Sequence, residues 1–70
     1  MRYVEFKNAI EQELRRNPDG LTWLELQQRL RLPYDRPCPT WTQKLEKEIR
    51  LSRRKLPGQA SLVWRVVRAN

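Results

Sequence analysis

Between Thr40 and Gln59 the chain concentrates side chains whose chemistry suits phosphates and base edges. Thr40, Thr42, Gln43, Lys44, Lys47 and Arg50 come first, Arg53, Arg54 and Lys55 follow as a consecutive cationic run, and Gln59 lies just beyond. Glutamine pairs bidentately with adenine, and lysine and arginine with guanine or phosphate. A threonine at a helix start can hold a phosphate beside free backbone donors. Three adjacent cations suit contacts that ignore sequence. Glu46 is the dissenting residue in this stretch, since its carboxylate repels phosphate.

The charge layout agrees with that chemistry. The chain has 70 residues and a net charge of +7. Residues 1–20 carry four cations and four carboxylates, residues 21–40 three and two, and residues 41–70 eight and two, so the excess is C-terminal. Such asymmetry speaks about partners rather than about fold. The chain holds no histidine and one cysteine, Cys38. An intramolecular disulfide is therefore impossible, and the usual zinc ligand and general base are missing, so neither a metal centre nor a cofactor nor an enzymatic activity is expected. Glu46 and Glu48 do not share a helix face and make no acid–base pair. No apolar run is long enough to span a bilayer, and the N-terminus lacks the pattern of a secretory signal. The expected setting is intracellular, either cytoplasmic or beside the nucleoid or nuclear DNA.

Regular apolar spacing predicts the elements that position these residues. Tyr3, Phe6, Ile10 and Leu14 mark an amphipathic first helix, which Asn17-Pro18-Asp19-Gly20 ends in a turn. Thr22 and Glu25 form a capping-box pattern flanked by a Leu21/Leu26 staple, and Trp23, Leu26 and Leu30 share a face, so a second helix is predicted over residues 22–32. Pro33, Pro37 and Pro39 make the next segment a stiff connector. Thr40 and Gln43 repeat the capping pattern, and Trp41, Leu45 and Ile49 predict a third helix over about residues 41–51. Leu56-Pro57-Gly58-Gln59 suits a type II turn, so residues 53–67 read as a hairpin. In its second strand, Leu62, Trp64 and Val66 are predicted to face the core and Val63, Arg65 and Val67 to face away. The whole chain, residues 1–70, reads as one small α+β domain.

Three helices ending in a basic hairpin, with Gly20-Leu21-Thr22-Trp23-Leu24-Glu25-Leu26 opening the second, resemble the winged helix-turn-helix superfamily. The resemblance covers nearly the whole chain. It implies a third helix in the major groove of double-stranded DNA and the hairpin as a wing on the flanking backbone, with Gln59 at a minor groove. It also implies a short strand at Leu21 pairing with the wing. The proline-rich connector departs from the tight turn of a simple helix-turn-helix. A small transcriptional regulator built this way would need a homodimer, a fusion partner or a larger protein complex. Neutralisation of about six phosphates would give a salt slope near about −5.

Two other classes compete. A protein-docking module of the same architecture would use the exposed Leu24, the connector with Tyr34, Asp35 and Arg36, and the neutral first helix. It would scatter Arg50, Arg53, Arg54 and Lys55 over separate faces. An RNA or single-strand binder would instead display Trp23, Trp41 and Trp64 as stacking platforms. Trp41 and Trp64 fall at core phases, while Trp23 sits at a helix start where partial exposure is expected. Cys38 reads as a loop or packing residue.

Overall fold

The computed structural model describes residues 1–67. Its elements run α1 (Tyr3–Arg16), β1 (Leu21–Thr22), α2 (Trp23–Leu30), α3 (Pro39–Glu48), β2 (Leu51–Lys55) and β3 (Leu62–Val66). The architecture is α+β. The strands form one antiparallel sheet in the order β1-β3-β2, with Leu21 and Arg53 both opposite Trp64. Among the described residues, no helix is long and apolar enough to cross a membrane.

The apolar periodicity of α1 acts as expected, burying Phe6, Ile10 and Leu14. They meet Leu26 of α2, Leu45 of α3 and Trp64 of the sheet in the core. Tyr3 and Trp41 are only partly buried, packing edge-on at 5.5 Å between ring centroids. Trp41 and Tyr34 also close on Phe6, so an aromatic cluster caps the core at the start of α3.

The Thr22/Glu25 capping box forms: Glu25 N–H donates to Thr22 Oγ1 at 3.2 Å, and Thr22 N–H donates to Glu25 Oε1 at 3.0 Å. α2 stops at Leu30, short of the expected residue 32. Arg31 adopts a left-handed conformation (φ 52°), and Leu32 N–H bonds back to the Gln27 carbonyl at 3.0 Å. The turn lets Leu32 enter the core instead of prolonging the helix. The connector then lies against α2, where Gln27 Nε2 donates to the Tyr34 carbonyl (2.9 Å) and Trp23 Nε1 to the Asp35 carbonyl (3.1 Å).

α3 differs from expectation at both ends. Its first residue is Pro39, whose fixed φ suits that position, and Thr40 lies inside the helix rather than capping it. The predicted box with Gln43 is absent. At the far end Arg50 takes φ 55°, which breaks the helix and swings Leu51 into β2. Leu51 thus reaches the core through the sheet.

The hairpin turn matches its sequence, with Gly58 at φ 80° and Gln59 N–H donating to the Leu56 carbonyl at 3.0 Å. Trp64 faces the core as predicted, but Leu62 is 43% exposed and Val63 only 5%. Leu62 is the first residue of β3, next to the hairpin turn, at the edge of a groove beside α2. Val63 is covered by Gly20, where an added Cβ would fall 2.4 Å from Val63 Cγ1. Gly20 therefore does two jobs, adopting φ 97° and letting the turn lie directly on β3.

Gly20→Ala should combine left-handed strain with a steric clash and cost at least about 3 kcal/mol. Gly58→Ala, with open space around its position, should cost only about 1 kcal/mol. Thermal unfolding of the two variants checks the difference, since about 1 kcal/mol moves Tm by about 4–8 °C in a domain of this size.

Candidate nucleic-acid interface

Helical spacing sorts the side chains of α3 into three directions. Leu45 and the buried Thr42 point into the protein. Thr40, Gln43 and Lys47 recur at intervals of three and four, and all three are exposed, so they form one outward polar stripe. Lys44 and Glu48 lie on the α1 side of this stripe. Lys44 Nζ sits 5.0 Å from the centroid of the Tyr3 ring, and Glu48 Oε1 lies 3.5 Å from Lys7 Nζ. Glu46 lies on the hairpin side, its Oε2 3.9 Å from Arg53 Nη2. Each carboxylate of α3 is thus drawn off by a cation from another element, leaving the stripe without an acid of its own.

Thr42 is corrected from a candidate contact to an internal residue. It is 2% exposed, and its hydroxyl donates to the Cys38 carbonyl at 2.7 Å. This bond satisfies a buried hydroxyl within the first turn of α3. It is the back-bonding that threonine favours in helices.

The cations after α3 are not brought together as one patch. Arg50 lines a cleft of about 720 Å³ beside α1, together with Glu11, Arg15, Glu48 and Arg65. Strand alternation separates the consecutive run: Arg53 is opposite Trp64 and Lys55 opposite Leu62, on the helix side, while Arg54 is opposite Val63 on the outer face. Arg53 is half-buried, with its guanidinium 5.6 Å from the Trp64 ring centroid. Gln59 is exposed at the hairpin tip. The structure therefore gathers Thr40, Gln43, Lys44 and Lys47 on α3, with Arg53 and Lys55 on the neighbouring strand face. Arg50 and Arg54 point elsewhere.

Arg65 completes the outer face: it lies opposite Ser52, diagonal to Arg54. Alternation along β3 already set Arg65 against Trp64. Its neighbour, however, depends on strand register, which no single segment displays. Among the described residues, no group of three or more histidine, cysteine or acidic side chains is placed to hold a metal ion.

The support beneath Lys44 has its own electrostatic signature. Burial first, and the neighbouring Glu48 carboxylate second, push the Tyr3 phenol up from 10.0 to about 12. Because the unfolded chain ionises this phenol at lower pH than the folded one, its contribution to stability is whole below pH 10 and is lost as pH rises towards 12. Tyr3→Phe should therefore lose less stability than the parent over that window. Denaturant unfolding at several pH values, with phenolate absorbance followed in parallel, checks both the direction and the titrating group.

No family model, curated protein or solved structure matches the chain.

Proposed function

We propose that this chain is a double-stranded DNA-binding module with a winged-helix arrangement, α3 lying in the major groove and the β2–β3 hairpin resting on the adjacent backbone. The observation that carries this reading is the stripe of Thr40, Gln43 and Lys47, exposed and flanked by Lys44, with Glu46 and Glu48 each engaged by a cation from outside the helix. A helix entering a groove needs such a face, polar enough to meet base edges and without an uncompensated carboxylate. β1 pairing with β3 supports the same arrangement, because it anchors the hairpin to the start of α2.

In this reading Gln43 meets a base edge, Thr40 and Lys47 meet base or phosphate, and Lys44, Arg53 and Lys55 meet phosphates. With Arg50 in the α1 cleft and Arg54 on the outer sheet face, four cations of the described residues remain on the binding side. The salt slope is accordingly about −3.6, shallower than the six-phosphate expectation from sequence. The single-strand reading draws less support, since Trp64 is 1% exposed and the Trp23 and Trp41 rings are packed against neighbours. Protein docking is the stronger second reading. The separation of Arg50, Arg53, Arg54 and Lys55 is the arrangement it calls for, and Leu24 is 59% exposed.

Fluorescence anisotropy of a 20-base-pair duplex across a salt series tests the proposal. Lys47→Ala and Lys55→Ala should each reduce the slope by about 0.9, whereas Arg54→Ala should leave it unchanged. Gln43→Ala should keep the slope but relax preference at one A·T pair, by about 1–3 kcal/mol of discrimination. A flat salt response, or equal losses from Lys47→Ala and Arg54→Ala, overturns the assigned face.

A further inference from the structure

A second surface lies between α2, the connector and the hairpin, where Trp23 and Trp64 form the floor of a groove of about 370 Å³ and Leu24 and Leu62 form its lips. We propose that this groove docks an acidic peptide segment carrying bulky aliphatic side chains. The groove lies apart from the α3 stripe, since none of Thr40, Gln43 and Lys47 lines it, but Arg53 and Lys55 border both surfaces, so peptide and duplex compete for them.

Two observations set the chemistry of the occupant. The first is the kind of apolar surface on offer. Leu24 is 59% and Leu62 43% exposed, whereas Trp64 is 1% exposed with its ring packed 5.4 Å from that of Trp23. A nucleobase needs an open aromatic face to stack on. Here the most exposed apolar side chains of the lining are the aliphatic Leu24 and Leu62, which suit a leucine-like side chain on the incoming segment.

The second observation is charge. Arg53 lines the groove, and its Nε is closed off from solvent with no hydrogen-bond partner among the described residues. Among the described residues its ion pair is with Glu46, at 3.9 Å, so an incoming carboxylate shares Arg53 with Glu46. Lys55 stands opposite Leu62 at the hairpin lip, and Arg36 stands between the lining residues Asp35 and Pro37. Asp35 is the single acidic residue lining the groove, on a chain of net charge +7. A carboxylate on the incoming segment would meet the accessible Nη end of Arg53, since Nε is closed off, and acidic neighbours would favour encounter with the cationic rim.

The test is a titration of the ¹⁵N-labelled chain followed at its indole N–H signals. Trp23 and Trp64 report on the groove, and Trp41 serves as an internal control on another surface. The probe is an acetylated and amidated hexapeptide with two central leucines flanked on each side by two glutamates. Matched peptides carry central alanines or flanking lysines. Saturable shifts are expected at Trp23 and Trp64 with the leucine–glutamate peptide, while Trp41 stays still. Leu24→Asp should weaken binding about tenfold. An aspartate in the first turn of α2 suits the positive helix end, so this variant keeps the fold. Arg53→Gln should weaken the leucine–glutamate peptide while leaving the lysine-flanked control as it was. Equal shifts with the lysine or alanine peptides overturn the proposal. So do shifts at Trp41 of the same size, or indole shifts that follow protein concentration without peptide, which would assign the groove to a second copy of the chain.

Discussion

Trp64 is the side chain on which the rest of the structure depends. It occupies the central strand, with Leu21 of β1 opposite on one side and Arg53 of β2 on the other, and its ring packs against Trp23 at the head of α2. A chain of this size has little apolar area to bury, so one large buried residue joining the sheet to α2 contributes disproportionately to folding. Its position also fixes the hairpin relative to the helices. That in turn fixes which cations share a side with α3.

Charge on this surface is organised by pairing rather than by accumulation. The sequence has an excess of cations after residue 40, but strand alternation distributes them to opposite sheet faces and a left-handed residue diverts Arg50 towards α1. In the proposed DNA reading, α3 meets the duplex with its two acids beside cations of other elements, Glu46 by Arg53 and Glu48 by Lys7. These are partly exposed pairs and contribute little to stability. Their consequence is directional: they lower the repulsion that a bare carboxylate would present to a phosphate.

Much of this was legible from local signals. Apolar spacing located α1, α2 and α3, the Thr22/Glu25 pattern fixed the start of α2, and Leu56-Pro57-Gly58-Gln59 gave the hairpin turn. The helix ends were less legible, because Arg31 and Arg50 terminate α2 and α3 in left-handed conformations that glycine or asparagine would ordinarily announce. The inward turn of Thr42 was hidden as well, since a threonine followed by Gln43 and Lys44 reads as surface until Cys38 is seen to present its carbonyl. Val63 was placed outward by simple alternation, which is blind to a glycine turn arriving from elsewhere in the chain. For Val63 the missing information was tertiary, whereas for Thr42 and the helix ends it was local backbone geometry that residue type does not announce. The exposure of Leu24, by contrast, followed from its helical phase alone.

The most direct test of the proposed DNA face is a map of amide shifts in the assigned ¹⁵N-labelled protein on addition of a short duplex at low salt. The account predicts saturable changes centred on Thr40, Gln43 and Lys47, extending to Lys55 and Gln59, with α1 and the outer-face residues Arg54 and Arg65 left nearly still. Changes centred on Leu24 and the connector, or no saturable change at all, would contradict it.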